Sequence, residues 1–159
     1  LNRVVKKYDA IILDAFLGDS SPSHLMTREA FTSIRNALAP GGVLVINSFG
    51  DFTHGKDFLV ASLDKTLHAV FKSVHIHASG SGNVFFVASE NSVLALVPPL
   101  VENFPEELRD LAEDTLASNR STDDRSGRIL TDDYNPVDYY DAKNREENRR
   151  RLALSISEL

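Results

Sequence analysis

Two short apolar runs, DAIIL at 9–13 and GVLVIN at 42–47, punctuate the amino-terminal part of the chain. Both are rich in β-branched residues and bounded by loop formers, so each reads as a strand buried on both faces, the pattern of a parallel sheet. Between them Thr27 is placed to cap a helix on which Phe31, Ile34 and Leu38 fall at helical spacing, with Glu29 in the first turn and Pro40-Gly41-Gly42 as the following loop. A βαβ unit is the expected outcome. Leu59, Leu63, Leu67 and Val70 recur every three or four positions and predict a second helix over about 55–71. The runs SVHIHAS (73–79) and NVFFVAS (83–89), joined by GSG, predict an antiparallel hairpin.

Periodicity then weakens. A third helix is expected over about 105–118 with Leu108, Leu111, Ala112 and Leu116 as its apolar stripe. The polar stretch 118–128 is expected to be a mobile loop. ILTDDYNPVDYYD (129–141) is dense in carboxylates and tyrosines, and a charged helix follows it. The order β-α-β-α-β-β leaves open whether the first two helices share a face, because that depends on where the strand order reverses. Residues 1–100 form the expected sheet domain, and 101–159 a helical and acidic extension packing on the sheet or partly mobile.

With 159 residues, 42% of them hydrophobic, the chain is long enough for one domain with a true core. A net charge of −6 argues against nucleic acid or an anionic membrane as the main partner, since both select basic faces. The chain has no cysteine, which removes disulfides and thiolate zinc sites and fits a reducing compartment such as the cytoplasm. No apolar run reaches the roughly 20 residues needed to span a bilayer. The start, Leu1-Asn2-Arg3-Val4, has neither methionine nor a signal pattern, so the chain reads as a piece of something longer.

In open α/β sheets ligands bind beyond the carboxyl ends of the strands, where loops diverge and helix N-termini point inward. Asp14 and Asn47 occupy such ends, one strand apart. The alternative for Asp14 is a local turn, its carboxylate bonded to its own loop. His75 and His77 alternate on one strand face, a spacing that suits a metal; with no third ligand near in sequence, a half-exposed hairpin accounts for them and no metal site is assigned. His24 reads as a loop-shaping residue, and Arg149-Arg150-Arg151 as a solvated helix end.

The run YDAIILDAFLGDSSPSHLMTREAF with LAPGGVLVIN resembles the fourth-to-fifth-strand segment of polyamine aminopropyltransferases, the spermidine synthase family. The later ILTDDYNPVDYY resembles a T-D-D-x-x-P segment of spermidine synthase-like proteins. The resemblance implies an α/β fold: a partial Rossmann-like, class I methyltransferase-like, mostly parallel sheet with a terminal antiparallel hairpin, lacking the amino-terminal nucleotide-binding strands. It also implies decarboxylated S-adenosylmethionine or S-adenosylmethionine as co-substrate, not bound tightly by this chain alone, and a small-molecule amine as acceptor. Asp14 aligns with the family's catalytic aspartate. Asp19 is a candidate second anion for the amine, although the family places that aspartate three residues after the first, where this chain has Leu17. Asn47 aligns with a polar amide after the fifth strand, a substrate-contact position whose alternative is closing the strand. The family's substrate tyrosine before the hairpin turn is replaced by His77, Ala78 and Ser79. Asp132 and Asp133 either add negative potential to the crevice or cap a turn before Pro136. Three functions follow: aminopropyl transfer, methyl transfer on the same half-fold, or a non-catalytic assembly or ligand-sensing module. In a complete sheet the strand at 9–13 has a further neighbour, so this chain is expected to present an unpaired edge and to self-associate through it, as a homo-oligomer.

Overall fold

The computed structural model describes residues 6–15, 22–78, 82–95, 101–122 and 126–140, together with 142, 146 and 150. Its strands are β1 (Tyr8–Leu13), β2 (Leu38–Phe49), β3 (Ser73–Ala78), β4 (Asn83–Ser89) and β5 (Asn119–Arg120); its α-helices are α1 (Arg28–Arg35), α2 (Phe58–His68) and α3 (Glu106–Ala117). They form one open sheet in the order β1-β2-β4-β3-β5. β1 runs parallel to β2, and β4 is antiparallel to both β2 and β3, so β1, β2 and β3 share a direction. The hairpin β3–β4 is inserted with its second strand inward, a placement that periodicity does not specify.

α1 and α2 touch each other and cover the same face. Beneath them lie Leu44 and Ile46 of β2, Val84, Phe86 and Ala88 of β4, and Ile76 of β3, packed against Phe31 of α1 and Leu59, Leu63 and Leu67 of α2. Burial of each such side chain stabilises the fold by roughly 1.5–3 kcal/mol. Because strand side chains alternate, Ala10 and Ile12, Val43, Val45 and Asn47, and Phe85 and Val87 point to the other face. There α3 packs beside β3. Over β1 and β2 that face remains open among the described residues: Ile12 is 69% exposed and Tyr8 42%. Among the described residues β1 is paired on one side only, with β2.

Several expectations need correction. Leu38 belongs to β2, not to the helix: α1 stops at Arg35, the chain turns at Asn36, and the register shifts between the Tyr8–Leu38 and Ala10–Val43 pairs. The Pro40-Gly41-Gly42 loop is therefore a bulge inside β2, for which Gly41 adopts φ +78°. Two residues of the α3 stripe, Leu108 and Leu111, are exposed by 44% and 57%. The stretch 118–128, expected to be mobile, is anchored where it is described. β5 pairs with β3; Arg128 N–H donates to Ser62 Oγ (3.0 Å) and Leu130 N–H to Thr66 Oγ1 (2.9 Å). Ser62 and Thr66 are fully buried polar positions on α2, so a segment with few apolar residues is held through its own backbone.

That docking leaves no room at Gly127, where a Cβ would strike the backbone of Ala61 and approach Ser62 N to 2.7 Å. Gly127→Ala is expected to cost about 1–3 kcal/mol, the usual range for overpacking, read as a lower urea midpoint at unchanged m-value. A midpoint equal to wild type would show that the segment does not press on α2.

Candidate functional site

The parallel register of β1 on β2 sets Leu13 opposite Ile46, so the next residues on each strand, Asp14 and Asn47, meet on the open face. Asn47 Nδ2 donates to Asp14 Oδ1 at 3.0 Å. The bond fixes the orientation of the amide, because turning it over would set its oxygen against a carboxylate. Among the described residues Asn47 Oδ1 is then left buried with no hydrogen-bond partner. An unsatisfied buried acceptor costs roughly 1–3 kcal/mol, and a ligand N–H would remove that cost. Asp14 is exposed to solvent, and its one bond among the described residues comes from the neighbouring strand rather than from its own loop. Asp19, the other expected anion, lies outside the described residues.

The two motifs recognised in the sequence are in contact. After a 3-10 turn at Ser23–Leu25, Thr27 caps α1: its Oγ1 accepts from Ala30 N (3.1 Å) and donates to Asp132 Oδ1 (2.7 Å). Asp132 N–H in turn donates to Glu29 Oε2 (3.1 Å), and Arg28 N–H to Leu130 O (2.9 Å). Asn135 Nδ2 donates to Ser23 O (2.6 Å), while its Oδ1 accepts from Val137 N (3.2 Å). Ser23 Oγ donates to Asp138 Oδ2 (3.0 Å). Leu130 and Val137 are fully buried in the core that contains Met26 and Phe31, so this polar seam closes over an apolar base. Asp132 thus accepts from the residue that caps α1, and Asp133 is exposed. The Glu29 carboxyl is held below the usual carboxylate range, first by its own backbone N–H at the start of α1, then by Arg28 and the Asp132 N–H. Its contribution is present above the ordinary carboxylate pKa and is lost as pH falls through the lowered value. Asn135 was not singled out by sequence; its signal was the Asn-Pro dipeptide, a turn initiator.

Elsewhere, His77 is buried and its Nδ1 lies 3.3 Å from Thr115 O at the end of α3, while the ring centroids of His75 and His77 are 6.4 Å apart. No group of three or more His, Cys, Asp or Glu that could hold a metal is found among the described residues. His24 is exposed within the 3-10 turn. A cavity of about 370 Å³ beside the start of α2 is lined by Phe52, His54, Asp57, Ser121 and Thr122. The Asp57 oxygens are occupied there by Gly55 N (3.2 Å) and Ser126 Oγ (2.8 Å). Of the described helices, none is long and apolar enough to cross a membrane.

Thr27→Ala removes both the cap and the bond to Asp132 and should destabilise the protein by about 1–2 kcal/mol, the upper part of the capping range. Thr27→Ser keeps both bonds and loses only the buried methyl, so it should cost about 0.8 kcal/mol, less than Thr27→Ala in the same denaturation experiment. Equal losses for the two would mean that the methyl group, not the hydroxyl, matters.

No family model matches the chain. A polyamine aminopropyltransferase of Vibrio vulnificus is 52% identical over 44 residues, 28% of this chain and 15% of that protein. Polyamine aminopropyltransferase 2 of Pseudomonas aeruginosa is 35% identical over 77 residues, 47% of this chain and 22% of that protein. The matched stretches thus span less than a quarter of either relative. In structure, the chain is similar to a probable spermidine synthase from Corynebacterium glutamicum, with a TM-score of 0.50 and 23% identity over 75% of this chain and 43% of that one. The chain is thus similar to polyamine aminopropyltransferases over short stretches of sequence, and its open mixed sheet is similar in fold to the probable spermidine synthase.

Proposed function

We propose that this chain carries the acceptor-amine side of a spermidine synthase-like transferase, with Asp14 as the base. The observation that carries the reading is the Asn47–Asp14 bond, which leaves one unsatisfied acceptor, Asn47 Oδ1, beside an exposed carboxylate. An alkylammonium with a pKa of about 10.4 is almost fully protonated at neutral pH and is not a nucleophile. Asp14 attracts that cation and accepts one of its protons; Asn47 steadies Asp14 through Nδ2 and takes an N–H of the same nitrogen on Oδ1. The freed lone pair attacks the methylene next to a sulfonium, a C–N bond forms, the C–S bond breaks and the thioether leaves neutral. Asp19 supplies a second anion in this reading, by resemblance alone.

The sulfonium substrate is decarboxylated S-adenosylmethionine or a relative. The glycines of this chain do not fit its nucleotide. Gly41 and Gly42 sit in the β2 bulge, where a Cβ on Gly42 would come within 2.9 Å of Tyr8 O, and Gly82 sits in the hairpin turn. We assign this chain no nucleotide cradle, and the isolated chain is inactive in this reading.

In the full-length protein, assay with decarboxylated and with intact S-adenosylmethionine identifies which sulfonium is consumed; aminopropyl transfer consumes the first. Asp14→Asn should lower kcat by about 10²–10⁴-fold, the usual worth of a positioned general base, at unchanged KM for the sulfonium substrate. Retained turnover would refute the base assignment.

The single-sided pairing of β1 among the described residues supports a homo-oligomer built through that edge. Light scattering on this chain should then give a mass that rises with concentration, and substituting Ile12 by Lys should return it to the monomer. A constant monomer mass for wild type would contradict the edge contact.

A further inference from the structure

We propose that Phe85 is a specificity-determining residue of the amine site: its ring receives the alkylammonium that Asp14 and Asn47 hold, and so selects a cation on an apolar stem over a neutral molecule of the same shape. The inference rests on the transferase reading above. Strand register sets Asp14, Asn47, Phe85 and His77 in one row across the face opposite α1 and α2: Leu13 pairs with Ile46, Asn47 with Phe85, and Phe85 with His77. Asn47 Nδ2 is turned toward Asp14 on β1, so the other end of the planar amide, Oδ1, is turned toward β4. The neighbour on that side is Phe85, and residues directly opposite each other in an antiparallel pair have Cβ atoms about 4.5–5.5 Å apart. A nitrogen that reaches Oδ1 therefore meets the Phe85 ring within the roughly 6 Å over which a cation is attracted to an aromatic face.

Phe85 lies outside the core beneath α1 and α2 and is only half-buried. Among the described residues its ring stacks on no other aromatic ring and lies under no lysine or arginine. Beyond it the row is closed, since His77 is buried with Nδ1 3.3 Å from Thr115 O of α3. One row back, Val45 and Val87 pair across the same two strands. The surface that adjoins the nitrogen is thus apolar, and removal of water strengthens the attraction of a cation to a ring. Asp14 supplies the charge, Asn47 the acceptor, and Phe85 a surface that favours an ammonium with a hydrocarbon stem. A hydroxyl in the same place would gain the hydrogen bond alone.

A side chain that merely fills the sheet surface does not distinguish charge. In the full-length protein, n-butylammonium and n-butanol are therefore titrated separately and followed at the Asn47 side-chain amide resonance. Wild type is expected to bind the cation more tightly. Phe85→Leu keeps apolar bulk and loses the ring; it should weaken n-butylammonium by about twofold to thirtyfold, the range of a cation–π contact, and leave n-butanol unchanged. Phe85→Tyr keeps the ring and should keep the wild-type preference. In turnover, the amine KM should rise by the same factor in Phe85→Leu, with the KM for the sulfonium substrate unchanged. Equal weakening of both probes in Phe85→Leu, or none, would overturn the inference, as would a loss that falls on the sulfonium KM instead. Should Phe85→Leu fail to fold, Phe85→Met is read in the same way. A wild-type protein that turns over no amine with either sulfonium, while its Phe85-dependent preference for n-butylammonium persists, sinks the transferase reading and supports the cation site.

Discussion

One side-chain bond, Asn47 Nδ2 to Asp14 Oδ1, ties the edge of the sheet to the candidate chemistry. It exists because β1 and β2 are parallel and in a register that sets Leu13 opposite Ile46. A slip of one residue would send Asp14 to the helix-covered face. The β2 bulge holds that register: it absorbs the irregularity between the Tyr8–Leu38 and Ala10–Val43 pairs before the regular ladder begins. The geometry of the site is thus decided at the opposite end of the strands from the carboxylate.

The second constraint comes from far along the chain. The segment 130–140 inserts Leu130 and Val137 into the core and spreads hydrogen bonds over the 3-10 turn and the start of α1. Stacking of Tyr140 on Phe58, with centroids 3.9 Å apart, ties the same block to the first turn of α2. An acidic segment that looks like surface in a composition plot is a structural seam here. Two of its carboxylates, Asp132 and Asp138, accept from the Thr27 and Ser23 hydroxyls.

What could be read in advance follows from which forces are local. The strands at 73–78 and 83–89 and the Thr27 cap were legible, because period-two alternation and capping chemistry act over a few residues. Leu38 was misplaced for the same reason: it lies at helical spacing from Ile34, and nothing local reveals that the chain has already turned at Asn36. Nothing local marks Ser62 and Thr66 as anchors, because the groups that donate to them, Arg128 N–H and Leu130 N–H, lie more than sixty residues further along the chain. The apolar stripe expected on α3 carries two leucines, Leu108 and Leu111, that the structure leaves exposed. For the site, Asp14 and Asn47 followed from the rule of strand ends, but their bond required the strand register. The contact of Thr27 with Asp132 joins motifs that no pattern window spans.

The most direct test of the account is a crystal structure of the full-length protein with an unreactive diamine and the thioether product. The account predicts one amine nitrogen about 3 Å from both the Asp14 carboxylate and Asn47 Oδ1, on the sheet face opposite α1 and α2. A diamine bound elsewhere, with Asp14 turned onto main-chain amides and Asn47 Oδ1 still unpaired, would contradict it.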